Sequence, residues 1–487
     1  LQNATENTSK GFISSILKFS ISTYINFIIY GATLLLVGRL IPDNIYGPVN
    51  TFADLSITVM NIAILGLDQS FIRFFHEPPE GISKKGLFGV CFTFACGALT
   101  VLSVLGCVIF PKWLLGVLRI EIAFNYLPLL FLNALFLMVS RFYNVAYRME
   151  QNIFMFTVQS VLSQFFSKLF YLLGFFADDP KSGMLYATVL GMGLFSLVFT
   201  LIRRKEILPT KQSFSPSVLK NILPYGLALA PSAVLIYANS AFSKVFLGAT
   251  LTASAQGIFG YAAALSNIVT VVQGGFATFW GAYVFANYKT EQKRIASVHN
   301  YLNLIILCFF TCIVMLQDLL FMLLPMYAQA KYIFPVMMLS AVFAILGEGT
   351  VYGIQIARKP IFDTIGIALS LAVNIVCCVW LVPNFELLGA AMALALSGFV
   401  MFAFRTVVAQ KFYKTVESPV KTCIALLVCN ITACFGYIFA SNFYTKALVC
   451  LGAIGIYCLL YKAELVSCIT IGWQTIGSFI KKNKATK

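Results

Sequence analysis

Apolar residues fall along this 487-residue chain in fourteen stretches separated by short polar loops. The stretches run over 14–41, 48–74, 86–110, 122–147, 152–177, 183–203, 217–248, 252–286, 296–324, 332–356, 360–382, 386–412, 420–440 and 444–463. Each is close to or longer than the roughly 20 residues that carry a helix across the hydrocarbon core. Backbone polar groups in lipid must be satisfied within the segment, so each stretch is expected to be helical. The first ten residues are polar and the first apolar run is too long for a signal-peptide core, so no cleavable leader is expected.

The loops differ in charge. Most of the 34 Lys and Arg lie in alternate loops, while the intervening ones hold only Arg39, Lys112, Arg119, Lys181, Lys331 and Lys446. Loops rich in Lys and Arg stay cytoplasmic, which places both termini inside. A chain that is 60% hydrophobic and 11% charged leaves no soluble domain for nucleic acid. Its net charge of +16 fits cytoplasmic loops facing anionic headgroups, at about 1 kcal/mol per cation. The thirteen cysteines form no CxxC pair, and no metal or cofactor motif is present. His76 and His299 fall in or beside cytoplasmic loops and are expected to be solvated. The glycosylation-like triplets at Asn3 and Asn7 lie on the cytoplasmic side and carry no weight.

An internal repeat organises the helices. A shift of 210 positions lays LVGRLIPDNIYGPVNTFADLS on FLGATLTASAQGIFGYAAALS, matching Gly38 to Gly248, Gly47 to Gly257, Ala53 to Ala263 and Ser56 to Ser266. A weaker echo links GMLYATVLGMG at Gly183 to GAAMALALSGF at Gly389. The period spans six helices, an even number, so both copies enter the membrane from the same side. They are then related by a pseudo-two-fold along the membrane normal. The fold class expected is an all-α polytopic membrane protein of about 14 transmembrane helices. One six-helix bundle occupies 1–205 and the other 206–415, with helices 13 and 14 and a tail in 416–487. The tail after Tyr461 either lies in the interface as an amphipathic helix or crosses a fifteenth time. No phosphate-binding GxxxxGK[ST] loop appears, so ATP hydrolysis by this chain is not expected.

Ionisable residues deep in a membrane are costly and mark functional candidates. Lys168, in SVLSQFFSKLFYLLGFF, is the deepest cation, with Gln164 one turn before it. It either snorkels, pairs with a carboxylate on another helix, or holds an anion. Glu348, between two glycines in LGEGT, is the deepest carboxylate, and is either a clamp between helices or a group that couples transport to ions. Asp54, whose repeat counterpart is Ala264, breaks the pseudo-symmetry and is a second coupling candidate. Arg39 and Lys244 close the first helix of each half, as interfacial anchors or as cations ringing a cleft. Arg141 is read as structural, and Asp68 lies five residues from Arg73, a loose spacing for a pair. The first helices of both halves carry cations and no carboxylate in their apolar cores, which suits an anionic substrate.

The turn Arg39, Leu40, Pro42, Tyr46, Gly47 and the helix end Gly66, Leu67, Ser70, Arg73 resemble the opening of bacterial oligosaccharide flippases. FLGATLTASAQGIFGYAAAL and FELLGAAMALALSG are similar to the entries of the eighth and twelfth helices in that family. The resemblance covers about residues 10–415. It implies the multidrug/oligosaccharidyl-lipid/polysaccharide exporter superfamily and a V-shaped pair of bundles in the bacterial plasma membrane. It further implies a carrier, not an enzyme. The substrate would be a polyprenyl-diphosphate-linked oligosaccharide, flipped to the outer leaflet for surface polysaccharide assembly, with membrane lipid, a polymerase and glycosyltransferases as partners. Many relatives have an Asp-Arg pair where this chain has Ser243-Lys244, so the acidic partner of that cation is missing from the motif. The competing functions are a multidrug or toxin exporter of the same superfamily and a lipid-modifying membrane enzyme.

Overall fold

The computed structural model describes residues 25–109, 111–112, 126–204, 215–267, 280–281, 283–285 and 287–470. Every regular element among them is a helix. The first half of the chain contains α1 (Ile25–Leu40), α2 (Asp43–Ile64), α3 (Leu67–Phe74), α4 (Lys84–Val104), α5 (Tyr126–Met149), α6 (Ile153–Lys168) and α7 (Pro180–Ile202). The second contains α8 (Pro216–Thr250), α9 (Ala253–Ser266), α10 (Gln292–Met315), α11 (Gln317–Met322), α12 (Ala330–Thr350), α13 (Tyr352–Ile356) and α14 (Ile361–Phe412). α15 (Pro419–Ile438) and α16 (Phe443–Leu460) complete the fold. Helix starts follow from local chemistry. Asn152, Thr252 and Asn442 each accept a backbone N–H of the first turn, and Pro180, Pro216 and Pro419 open helices where no donor is needed.

Among the described residues ten helices are long and apolar enough to cross a membrane, and α2 with α3 makes an eleventh, bent by 54°. The bend sits at Leu65 and Gly66, both left-handed (φ 52° and 70°), where the Gly66 backbone lies against Gly226 of α8 and leaves no room for a Cβ. The 52-residue α14 is two crossings folded back at Glu386 (φ 48°, ψ −125°). Across the fold Ser370 Oγ donates to the Ser397 carbonyl at 2.9 Å and Asp363 pairs with Arg405 at 2.5 Å, the register of an antiparallel hairpin. The first and eighth apolar stretches are carried by α1 and α9, which run into undescribed residues. Fourteen stretches thus have fourteen helical counterparts. The linker 205–214 and the tail from 471 lie outside the described residues.

The repeat is visible in three dimensions. Gly47 packs on Ala253 and Gly257, while Gly257 packs on Asp43. In the 210-position shift, 43 corresponds to 253 and 47 to 257, so each residue meets the counterparts of its own neighbours. Only points beside a two-fold axis meet their own images. A bulkier side chain at either glycine would strike backbone.

One expectation is overturned. His299 is 1% exposed, not solvated, and neither ring nitrogen has a hydrogen-bond partner among the described residues. α10 begins at Gln292, ahead of the apolar stretch, so 299 falls in its third turn, facing Gly349 of α12. His76 is exposed as expected.

The topology yields a direct test. In a cysteine-free background, cysteines at Tyr444 (86% exposed) and Asp178 are expected to react with an impermeant thiol reagent from outside intact cells. A cysteine at the exposed Lys293 should react only after permeabilisation. Labelling of 293 from outside would reverse the orientation.

Candidate functional site

The two halves meet along α2 and α8–α9. At the end predicted to face outward, Tyr261 stacks on Tyr327 at 3.9 Å, and both meet Tyr46 edge-on. Tyr261 Oη donates to the Leu34 carbonyl at 2.7 Å, Tyr30 Oη to the Ala264 carbonyl at 2.8 Å, and Ser254 Oγ to Asp43 at 2.8 Å. At the opposite end Ser70 Oγ donates to the Ile222 carbonyl at 2.8 Å and Phe74 packs edge-on against Tyr225.

Between these contacts lies the cation that the motif left without a partner. Lys244, 6% exposed, donates from Nζ to Asp54 Oδ2 and to Asn50 Oδ1, each at 2.5 Å. The carboxylate comes from the other half, 190 positions away. Asp54, which breaks the repeat's symmetry, does so to neutralise Lys244. A low-dielectric setting makes such a pair strong only if both charges are further hydrogen-bonded. Asn50 supplies that bond and is itself anchored on Tyr46 at 3.1 Å.

This bridge separates two chambers. One, of about 50 Å³, is lined by Tyr30, Thr33, Asn50, Lys168, Tyr171 and Thr188. The other, of about 170 Å³, lies within the second half and is lined by Asn239, Ser240, Lys244, Ser266, Asn267 and Ser340 among others. Consecutive residues of α9, Ala264 and Ala263, face the first and the second.

Lys168 ends α6; after Leu169 the chain tightens into a 3₁₀ helix, Phe170–Phe176. Lys168, just before the change of helix type, and Tyr171, just after it, both line the chamber. Lys168 makes no hydrogen bond or ion pair among the described residues, although it is near enough to feel Asp54 and Lys244. Gln164 lies one turn earlier on α6 and lines neither chamber. Phe170, Leu173 and Gly174 of the same 3₁₀ helix border an apolar groove of about 1100 Å³ against α4, α5 and α7.

The remaining candidates sit elsewhere. Arg39 is at the rim, where its exposed Nε donates to the Leu323 carbonyl at 3.2 Å. Arg141 is held by Asp68 through Nε at 2.9 Å and Nη2 at 2.7 Å, in place of Arg73, which reaches Glu77 at 3.6 Å. Glu348 accepts from Tyr352 Oη at 3.4 Å, one turn on, and lines neither chamber. Its flanking glycines do not break α12. Gly349 allows close packing on Leu302 and His299. Asp318 is visible in the sequence as a carboxylate in the membrane region, but spacing gave no sign of its partners, Lys331 at 2.5 Å and the buried Lys446 at 2.6 Å. Among the described residues no three His, Cys, Asp or Glu side chains gather as metal ligands.

No protein-family model and no curated protein matches the sequence. Solved structures match the fold. A lipid II flippase, MurJ, in an inward closed conformation superimposes with a TM-score of 0.70 at 13% identity, over 92% of this chain and 99% of that one. The likeness is one of fold. An inward-facing multidrug resistance MATE family transporter of the MOP superfamily matches with a TM-score of 0.53 at 15% identity, over 83% and 100% of the two chains. A MATE structure in complex with MaD5 gives 0.51 at 14% identity, over 82% and 95%. With its many apolar helices the chain is a multi-pass membrane protein.

Proposed function

We propose that this protein carries a polyprenyl-diphosphate-linked oligosaccharide from the cytoplasmic to the outer leaflet of a bacterial plasma membrane by alternating access of its halves. The observation that carries this reading is Lys168. Lys244, Arg141, Arg405 and Lys446 are each held by a carboxylate, whereas Lys168 faces a chamber at the seam with its charge uncompensated by an ion pair. An anion is a favourable partner for a half-buried ammonium, and a lipid diphosphate supplies one. At about 50 Å³ the chamber is closed around Lys168 in this conformation. Parting the Tyr30–Ala264 and Lys244–Asn50 contacts opens it to the headgroup. The polyprenyl tail stays in lipid, with the groove beside Phe170 as its track. Glycosyltransferases supply the substrate and a polymerase consumes the product outside. An exporter of cationic drugs would instead offer a free carboxylate at the seam, and Asp54 is engaged with Lys244.

Reconstituted vesicles test the reading. Protein-dependent exposure of a lipid-linked oligosaccharide to an external lectin is expected, without uptake of a cationic dye. Dye uptake without glycan exposure would give the multidrug alternative. The same vesicles test coupling, which we assign to Glu348. Glu348→Gln should keep glycan exposure but remove its dependence on an imposed pH gradient, because an amide keeps the Tyr352 bond and cannot take up a proton. Retained dependence would exclude Glu348.

A further inference from the structure

The two chambers differ in which groups are left unsatisfied. Around Lys168 most neutral polar groups are already occupied. Tyr30 donates to Ala264, Thr33 to Ile29, Thr188 to Met184, and Asn50 bridges Lys244 and Tyr46. Left over among the described residues are the Tyr171 hydroxyl and one charge, the Lys168 ammonium. Across the bridge the situation is reversed. Lys244 is neutralised by Asp54, and the groups left over are uncharged. Asn239 accepts from Asn374 Nδ2 with its Oδ1 at 2.8 Å and its backbone carbonyl at 3.2 Å. That leaves the Asn239 NH₂ to donate. Ser240 and Ser340 have hydroxyls with no partner among the described residues, each able to donate and accept. Phe259, Met337 and Leu394 give this chamber apolar walls.

Hydroxyls and an amide set against apolar surface, with the one charge cancelled, match the chemistry of a neutral sugar. A sugar ring offers hydroxyls on its edge and C–H groups on its faces. The volume of about 170 Å³ is on the scale of one ring. We infer that the halves divide the headgroup: Lys168 in the first takes the diphosphate, and Asn239, Ser240 and Ser340 in the second form a subsite for a neutral sugar residue. This rests on the lipid-linked glycan reading above and names the residues that recognise its sugar. Asn374 is a positioning residue, because it fixes Asn239 without lining the chamber.

The test compares two probes on the purified full-length protein in detergent: a short-chain polyprenyl diphosphate, and the same lipid diphosphate bearing one hexose. Ser240→Ala with Ser340→Ala should weaken the hexose-bearing probe by about tenfold, the loss of one to two net hydrogen bonds. The bare diphosphate should stay within about twofold, which also reports that the variant is folded. Lys168→Ala should weaken both probes. Equal weakening of both probes by the serine pair, or no change in either, would overturn the division of the headgroup while leaving the carrier reading standing. If the unaltered protein binds neither probe, the carrier reading falls and this inference with it.

Discussion

Lys168→Ala is expected to lower glycan exposure in vesicles by about ten- to a hundredfold, the equivalent of roughly 1.5–3 kcal/mol for a hydrogen bond to a charged group. Lys168 is the end residue of α6 and its side chain bonds to nothing described, so its removal leaves no carboxylate stranded. Fold and expression should therefore persist, which separates a binding role from a structural one. Lys168→Arg should retain much of the activity, since the guanidinium keeps the charge. Normal exposure by Lys168→Ala would mean that the ammonium reaches towards the polar chamber only to avoid lipid.

The second large effect is on the seam. Asp54→Ala leaves the Lys244 ammonium, 8% exposed on its side chain, without a counter-charge. Breaking one partner of a buried pair costs about 3–5 kcal/mol, while replacing both by apolar residues of similar size is near neutral. Asp54 is itself 20% exposed, which puts the expected loss near the lower figure. Thermal unfolding should show Asp54→Ala well below the parent, and Asp54→Leu with Lys244→Met should recover most of the difference. Closure of the seam can be followed by oxidative cross-linking of Asp43→Cys with Ser254→Cys, which replace a 2.8 Å contact. The double replacement should cross-link less, because the bond that draws the halves together at 54 and 244 is gone. An unchanged yield would show that the tyrosine cluster alone holds the seam.

Much of this architecture was legible along the chain because it depends on length and period. Apolar runs of crossing length gave the helices, and the 210-position shift gave a repeat whose glycines do meet. The hairpin at Glu386 was read as two stretches, parted at Pro383, Asn384 and Phe385. Partnerships were harder, because they depend on how each helix is rotated about its axis. Lys244 was read as lacking its acidic partner because Ser243 precedes it, and Asp54 stood out only as an odd carboxylate. Nothing in the spacing joins residues 190 positions apart. Arg141 was read as structural with no partner named, for the same reason, and its bond to Asp68 crosses 73 positions. His299 was placed in or beside a loop because it stands near the start of the 296–324 stretch, whereas the helix starts earlier, at Gln292.

The meeting of Gly47 with Gly257 bears on how reversibly the halves can part. A seam where backbone lies on backbone freezes no rotamers as it closes and frees none as it opens, whereas ordering a long side chain costs about 1.5–2 kcal/mol. Here the close approach uses residues that have no side chain to order. The balance between closed and open forms is therefore left to the few polar bonds around it, chiefly Lys244 with Asp54 and Asn50. Under the proposed carrier cycle, single substitutions at those positions should retune the fraction of time spent facing each leaflet, without redesigning the surface on which the halves meet.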